Sequence, residues 1–119
     1  MVVDPLKKNT IIIRLVEDST IIEVDRIIIG ENKYGEHNIT DIVVYESYIY
    51  VLTHFTKTIY QYIINQDGIN LHTIINKTSF PGEYFSPQEL KIDSRGRLWV
   101  KQFNFILIIE VEELKMWKI

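Results

Sequence analysis

The sequence predicts an all-β chain made of three antiparallel four-stranded units. Composition is the first reason: 22 of the 119 residues are Ile and none is Ala. A chain that avoids the best helix former and favours β-branched and aromatic residues is suited to strands. The second reason is patterning. Short β-type runs are separated by turn residues throughout, and no segment keeps a helical period. The third is repetition. Val3, Val43 and Leu90 open the first strands of three similar strand-and-turn series, 40 and then 47 residues apart. Periods of this size mark repeat architectures.

The first unit, residues 1–37, reads as "MVVD", turn "PLKKN", "TIIIRL", turn "VEDS", "TIIEV", a turn at Asp25, then "RIIIGE". The second, 38–84, reads as "DIVVY", turn "ES", "YIYVLT", turn "HFTK", "TIYQYII", turn "NQDG", "INLHTII". Asp67-Gly68 is a strong hairpin signal, because glycine accepts the positive φ that tight turns require. The third unit, 85–119, reads as "ELKID", turn "SRG", "RLWVKQ", turn "FN", "FILIIEV", turn "EE", "LKMWKI". The longest polar connections, "GENKYGEHNIT" and "NKTSFPGEYFSPQ", fall between units.

Bulk properties narrow the functional classes. Hydrophobic residues make up 46% and charged residues 24%, an ordinary globular balance. A net charge of −3 removes the main electrostatic reason to expect a nucleic-acid partner. The absence of cysteine excludes disulfides, thiolate metal sites and a cysteine nucleophile. No apolar run approaches the ~18 residues of a membrane span, and the N-terminus lacks the apolar core of a signal peptide. The expectation is a cytoplasmic protein without a membrane partner. Abundant Ile, Asn, Lys and Tyr fit AT-rich coding, as in many archaea and viruses.

A radial array of four-stranded sheets is a β-propeller, and closed propellers hold ~4–8 blades. "PQELKIDSRGRLWV" resembles the blade pattern of NHL-type, gluconolactonase-like and two-component-regulator propellers through Pro87, Leu90, Ile92, Asp93, Gly96, Leu98, Trp99 and Val100. "YIYVLTHFTKTIYQYIINQDGINL" looks like a lactonase-type blade. The resemblance implies a fold and little chemistry. Three blades cannot close a ring, and an open wedge exposes apolar sheet faces. The expectation is therefore a homodimer forming one six-bladed propeller, blade three of each chain packing on blade one of the other. Trp99 and Trp117 are expected to pack between blades. A longer propeller, a sandwich and a barrel remain open alternatives.

In a propeller the inter-blade connections and the turns between second and third strands share one face. That face would gather Tyr34, His37, His54, Phe55, Lys57, Tyr84, Gln102 and Phe103 as ligand-binding candidates, with Glu36 and Glu83 beside them. Aromatic rings among a few polar groups supply contact area and orientation. Phe80 and Phe85, flanked by Pro81 and Pro87, are expected to pin their connection to the ring instead. Asp41 and Glu89 stand just before equivalent first strands, so a dimer would carry four carboxylates at one opening, suited to a divalent cation such as calcium. His37 and His54 are weaker candidates for metal binding or acid–base work, and His72 alternates as an outer-strand residue.

There is no phosphate loop, no His-Glu-x-x-His and no Gly-x-Ser-x-Gly. The leading expectation is a non-enzymatic binding or scaffold module that presents its aromatic loops to a protein or small ligand. A metal-dependent hydrolase or lactonase is the alternative implied by the propeller resemblance together with Asp41 and Glu89. A structural assembly protein is the third.

Overall fold

The computed structural model describes residues 1–119, apart from the side chains of Leu15, Val16, Glu17 and Val24. The chain is all-β, with eleven strands in three antiparallel sheets. No helix long and apolar enough to cross a membrane occurs among the described residues. It divides into two compact units, Met1–Ile39 and Thr40–Ile119.

The first unit holds strands β1 (Val2–Val3), β2 (Thr10–Glu17) and β3 (Thr20–Ile28), in that spatial order. Here the structure departs from the expected four strands. "TIIEV", Asp25 and the first three residues of "RIIIGE" form one continuous strand, because pairing with β2 continues on both sides of Asp25. Instead the register slips by one residue, Ile13 facing Asp25 while Arg14 faces Glu23. Such a bulge absorbs a break in alternation without a turn. Ile11, Ile27 and Ile29 are buried. Arg26 joins strand to turn, its guanidinium 2.6 Å from Glu23 and 3.2 Å from Asp4. The following loop is tied back by Asn9 Nδ2 donating to the Gly30 carbonyl at 2.9 Å and Ile39 N–H donating to Lys8 at 2.8 Å.

The second unit contains two four-stranded meanders. One runs β4 (Asp41–Tyr45), β5 (Tyr48–Thr53), β6 (Thr58–Asn65), β7 (Gly68–Ile75). The other runs β8 (Glu89–Ile92), β9 (Leu98–Lys101), β10 (Ile106–Glu110), β11 (Lys115–Lys118). Every turn falls where the punctuation residues stand. Gly68, at φ +113°, closes the β6–β7 hairpin, and Asn65 Oδ1 accepts the Asp67 N–H at 2.9 Å.

One apolar cluster joins the two sheets: Tyr50, Leu52 and Ile59 from the first, and Leu98, Val100, Leu107 and Ile109 from the second. Each fully buried Leu or Ile contributes roughly 1.5–3 kcal/mol. On β5 the alternate residues Ile49 and Val51 are also fully buried. That strand is covered on both faces, which explains why "YIYVLT" reads as an unbroken apolar run. Phe80 and Phe85, from the β7–β8 connection, enter the same cluster and anchor that loop.

Candidate functional site

Antiparallel order brings three segments of the second unit to one end of its sheets. The β5–β6 turn, the β9–β10 turn and the β7–β8 connection all lie beside the starts of β4 and β8. Hydrogen bonds make this end rigid. His54 Nδ1 lies 2.8 Å from the Pro87 carbonyl. Gln102 is almost fully buried; its Oε1 accepts the Ser86 N–H at 2.6 Å and its Nε2 donates to the Tyr84 carbonyl at 2.8 Å. Gln102, a ligand-binding candidate from sequence, spends both amide atoms holding the connection in place.

Two phenylalanines stand free of this framework. Phe55 and Phe103, at equivalent positions in the two turns, are 76% and 78% exposed. Tyr84 is 55% exposed, its ring 6.2 Å from that of Phe105, and Lys57 at φ +53° ends the first turn. Lys118 Nζ sits 4.6 Å from the Phe105 ring centre and 3.8 Å from Glu83. The remaining candidates belong to the first unit. Tyr34 is highly exposed beside Lys33, and its N–H donates to Glu36 at 2.7 Å. His37 is held against Gly30, its Nδ1 bonded to the Glu31 carbonyl and its N–H donating to Asn32 at 2.7 Å.

Asp41 has a structural position. Its Oδ2 accepts the N–H of Leu90 at 2.8 Å and its Oδ1 that of Ile42 at 2.9 Å, so one carboxylate ties β4 to β8. Glu89 is adjacent and pairs with Lys91 at 3.4 Å. No group of three His, Asp or Glu side chains is arranged to hold a metal among the described residues. Replacing Asp41 by Ala strands the N–H of a β8 residue whose own side chain is 1% exposed. Loss of that charge-assisted bond should cost about 2 kcal/mol, read as a lower denaturation midpoint. A thermally neutral change would mean that the carboxylate is available to another ligand.

The face of the β8–β11 sheet away from the cluster carries an open apolar patch among charged residues. Register sets Glu89, Lys101 and Ile106 in one row, and Lys91, Trp99, Ile108 and Trp117 in the next. A concavity of about 540 Å³ lies over it, lined by Trp99, Phe103, Phe105, Ile106 and Ile119 between the stems of Lys91 and Lys101. Trp99 is half-buried and donates from Nε1 to Asp93 at 2.9 Å. Trp117 is 46% exposed. Within one chain, then, neither tryptophan is buried between sheets; both belong to an open surface.

A second concavity, about 280 Å³, lies where the turns Glu46-Ser47, Asp93–Arg97 and Val111–Leu114 meet, at the end opposite the aromatic loops. Sequence reading missed it, because Tyr45, Tyr48 and Tyr50 lie far along the chain from the acidic run "EVEE" and no local signal joins them. The Tyr45 hydroxyl donates to the Ser94 carbonyl at 3.0 Å, and its ring lies where a Cβ on Gly96 would come within 2.7 Å. Tyr50 is 3% exposed and accepts from Gln61 Nε2 at 3.0 Å. Gln61, fully buried, lies 2.9 Å from His72 Nδ1, which gives that outer-strand histidine a structural partner. The Tyr48 ring centre is 6.3 Å from that of Tyr50. The neighbouring Glu112 carboxylate, with partial burial, raises the Tyr48 phenol above its ordinary value.

Compared with known proteins, the chain matches no family model, no curated protein and no solved structure.

Proposed function

We propose that this chain is a non-enzymatic binding and scaffold module: three blades of a propeller that a second copy completes to six, presenting aromatic loops to a protein or small ligand. The open face of the β8–β11 sheet carries the reading. Trp117, Ile106 and Ile119 are 46%, 36% and 65% exposed there, around a concavity that is mostly apolar. A sheet face of this kind is an aggregation liability unless a partner covers it. A head-to-tail contact that closes covers it twice over. Charge favours the pairing: residues 85–119 carry six basic and five acidic side chains, and residues 1–39 five basic and seven acidic. The exposed Phe55 and Phe103 supply the ligand face, on turns fixed by His54 and Gln102.

Asp41 and Glu89 stay in this reading as structural acids at the ring opening. A hydrolase would use them to hold a cation, whereas here Asp41 serves the N–H groups of Leu90 and Ile42 and Glu89 pairs with Lys91. Light scattering tests the assembly. The wild-type chain is expected at twice its 14.1 kDa mass at micromolar concentration. Trp117→Glu should run as a folded monomer with an unchanged far-ultraviolet spectrum, since a charge on the apolar face blocks docking without touching the cluster. A wild-type monomer that stays folded at that dilution would remove the proposal.

A further inference from the structure

We infer that the tyrosine-lined concavity at the opposite end of the second unit binds a cationic side-chain group, a guanidinium or alkylammonium. The inference does not depend on dimerisation, because both walls belong to one compact unit. The site has three matching features.

Its aromatic wall is rigid. Tyr45 is fixed by Ser94 and Gly96, and Tyr50 by the fully buried Gln61, so their rings need no reordering when a ligand enters. Phenol rings attract cations through their faces and accept hydrogen bonds at oxygen.

Its charge is negative after internal pairs are removed. Arg97 is committed to Asp93 at 2.8 Å and Lys115 to Glu113 at 3.0 Å. That leaves Glu46, Glu110 and Glu112 facing Arg95 in the lining. The phenols register this field: burial and Glu46 raise Tyr45, and Glu112 raises Tyr48 and adds to the desolvation that raises Tyr50.

Its size fits one extended side chain, and its mouth is flanked by turns. A planar guanidinium can lie against a ring while its N–H groups reach Glu112, a pairing stronger than that between neutral partners.

Titration of ¹⁵N-labelled protein with Nα-acetyl-arginine amide tests this, the Gly96 amide serving as reporter. The neutral isostere Nα-acetyl-citrulline amide is the control, and putrescine is a second cation. The expected result is a saturable shift with the arginine compound and none with citrulline. Glu112→Gln, an exposed turn position whose folding is checked by circular dichroism, should weaken binding by about tenfold or more. Tighter binding of putrescine than of the arginine amide would assign the site to free polyamines; the reverse order would assign it to basic peptides. An equal response to citrulline, the lack of a saturable shift, or an unaffected Glu112→Gln variant would each overturn the inference.

Discussion

Asp93→Ala is expected to be the most damaging polar substitution in the chain, costing about 3 kcal/mol. Asp93 follows β8 and serves as the hub of its turn. Its Oδ1 accepts the backbone N–H of Arg95 and of Arg97, both at 2.9 Å. Its Oδ2 accepts Arg97 Nε at 2.8 Å and Trp99 Nε1 at 2.9 Å. Gly96, at φ +77°, completes the turn, and its N–H donates to the Asp93 carbonyl at 3.0 Å. Removing the carboxylate strands these donors together. Because they share one acceptor, their separate values do not add. Asp93→Asn keeps the shape but loses the charge and should cost less.

The same residue sets a pH dependence. Partial burial acts to raise the Asp93 carboxyl, but the Trp99 and Arg97 N–H donors outweigh it and hold the group well below the usual carboxylate range. A folded value below the unfolded one gives stability that is fully present above the unfolded pKa, about 4. It is lost as pH falls from there towards the folded value. Acid denaturation of Asp93→Asn should therefore be shallower than that of the wild type below about pH 4. Parallel curves would show that Asp93 is not the group responsible.

Leu107→Ala is expected to cost about 3–5 kcal/mol and to lower the denaturant midpoint of Thr40–Ile119. Leu107 is fully buried near the start of β10, in the cluster joining the two sheets. Neighbours on opposing sheets cannot both close in on the space it leaves, so the cavity term adds to the lost transfer energy. Ile106→Ala, one residue away, is the comparison. Its side chain alternates onto the open face and is 36% exposed, so an isolated chain should lose well under 1 kcal/mol. Similar losses at both positions would mean that β10 does not sort its residues between a core face and an open face.

Much of the secondary structure was legible because its signals are local. "DIVVYESYIYVLT" shows two strands about a two-residue turn, and the structure pairs Tyr45 with Tyr48 across Glu46-Ser47. "NQDG" and "SRG" close hairpins where the φ of Gly68 and Gly96 must be positive. That the β5–β6 and β9–β10 turns, which carry Phe55 and Phe103, each fall at the end where their own meander starts was also legible, since antiparallel order alternates the ends of successive turns. The first unit misled because a bulge and a one-residue turn look alike in sequence. Asp25 breaks the alternation in either case, and only the partner strand decides whether the chain reverses.

The amino-acid sequence by itself determined an all-β chain, the places where its strands turn, and the end of the sheets to which the aromatic loops belong. These depend on side-chain alternation and on backbone conformations at single residues. Tertiary structure alone decided what each polar group does: that Gln102 and Asp41 are consumed by backbone N–H groups 16 and 49 residues away, and that Tyr45, Tyr48 and Tyr50 meet acids from the β10–β11 turn. Hydrogen bonds and fields act through space over a few ångströms. Which residues come that close is set by how sheets pack, and sequence spacing does not carry it.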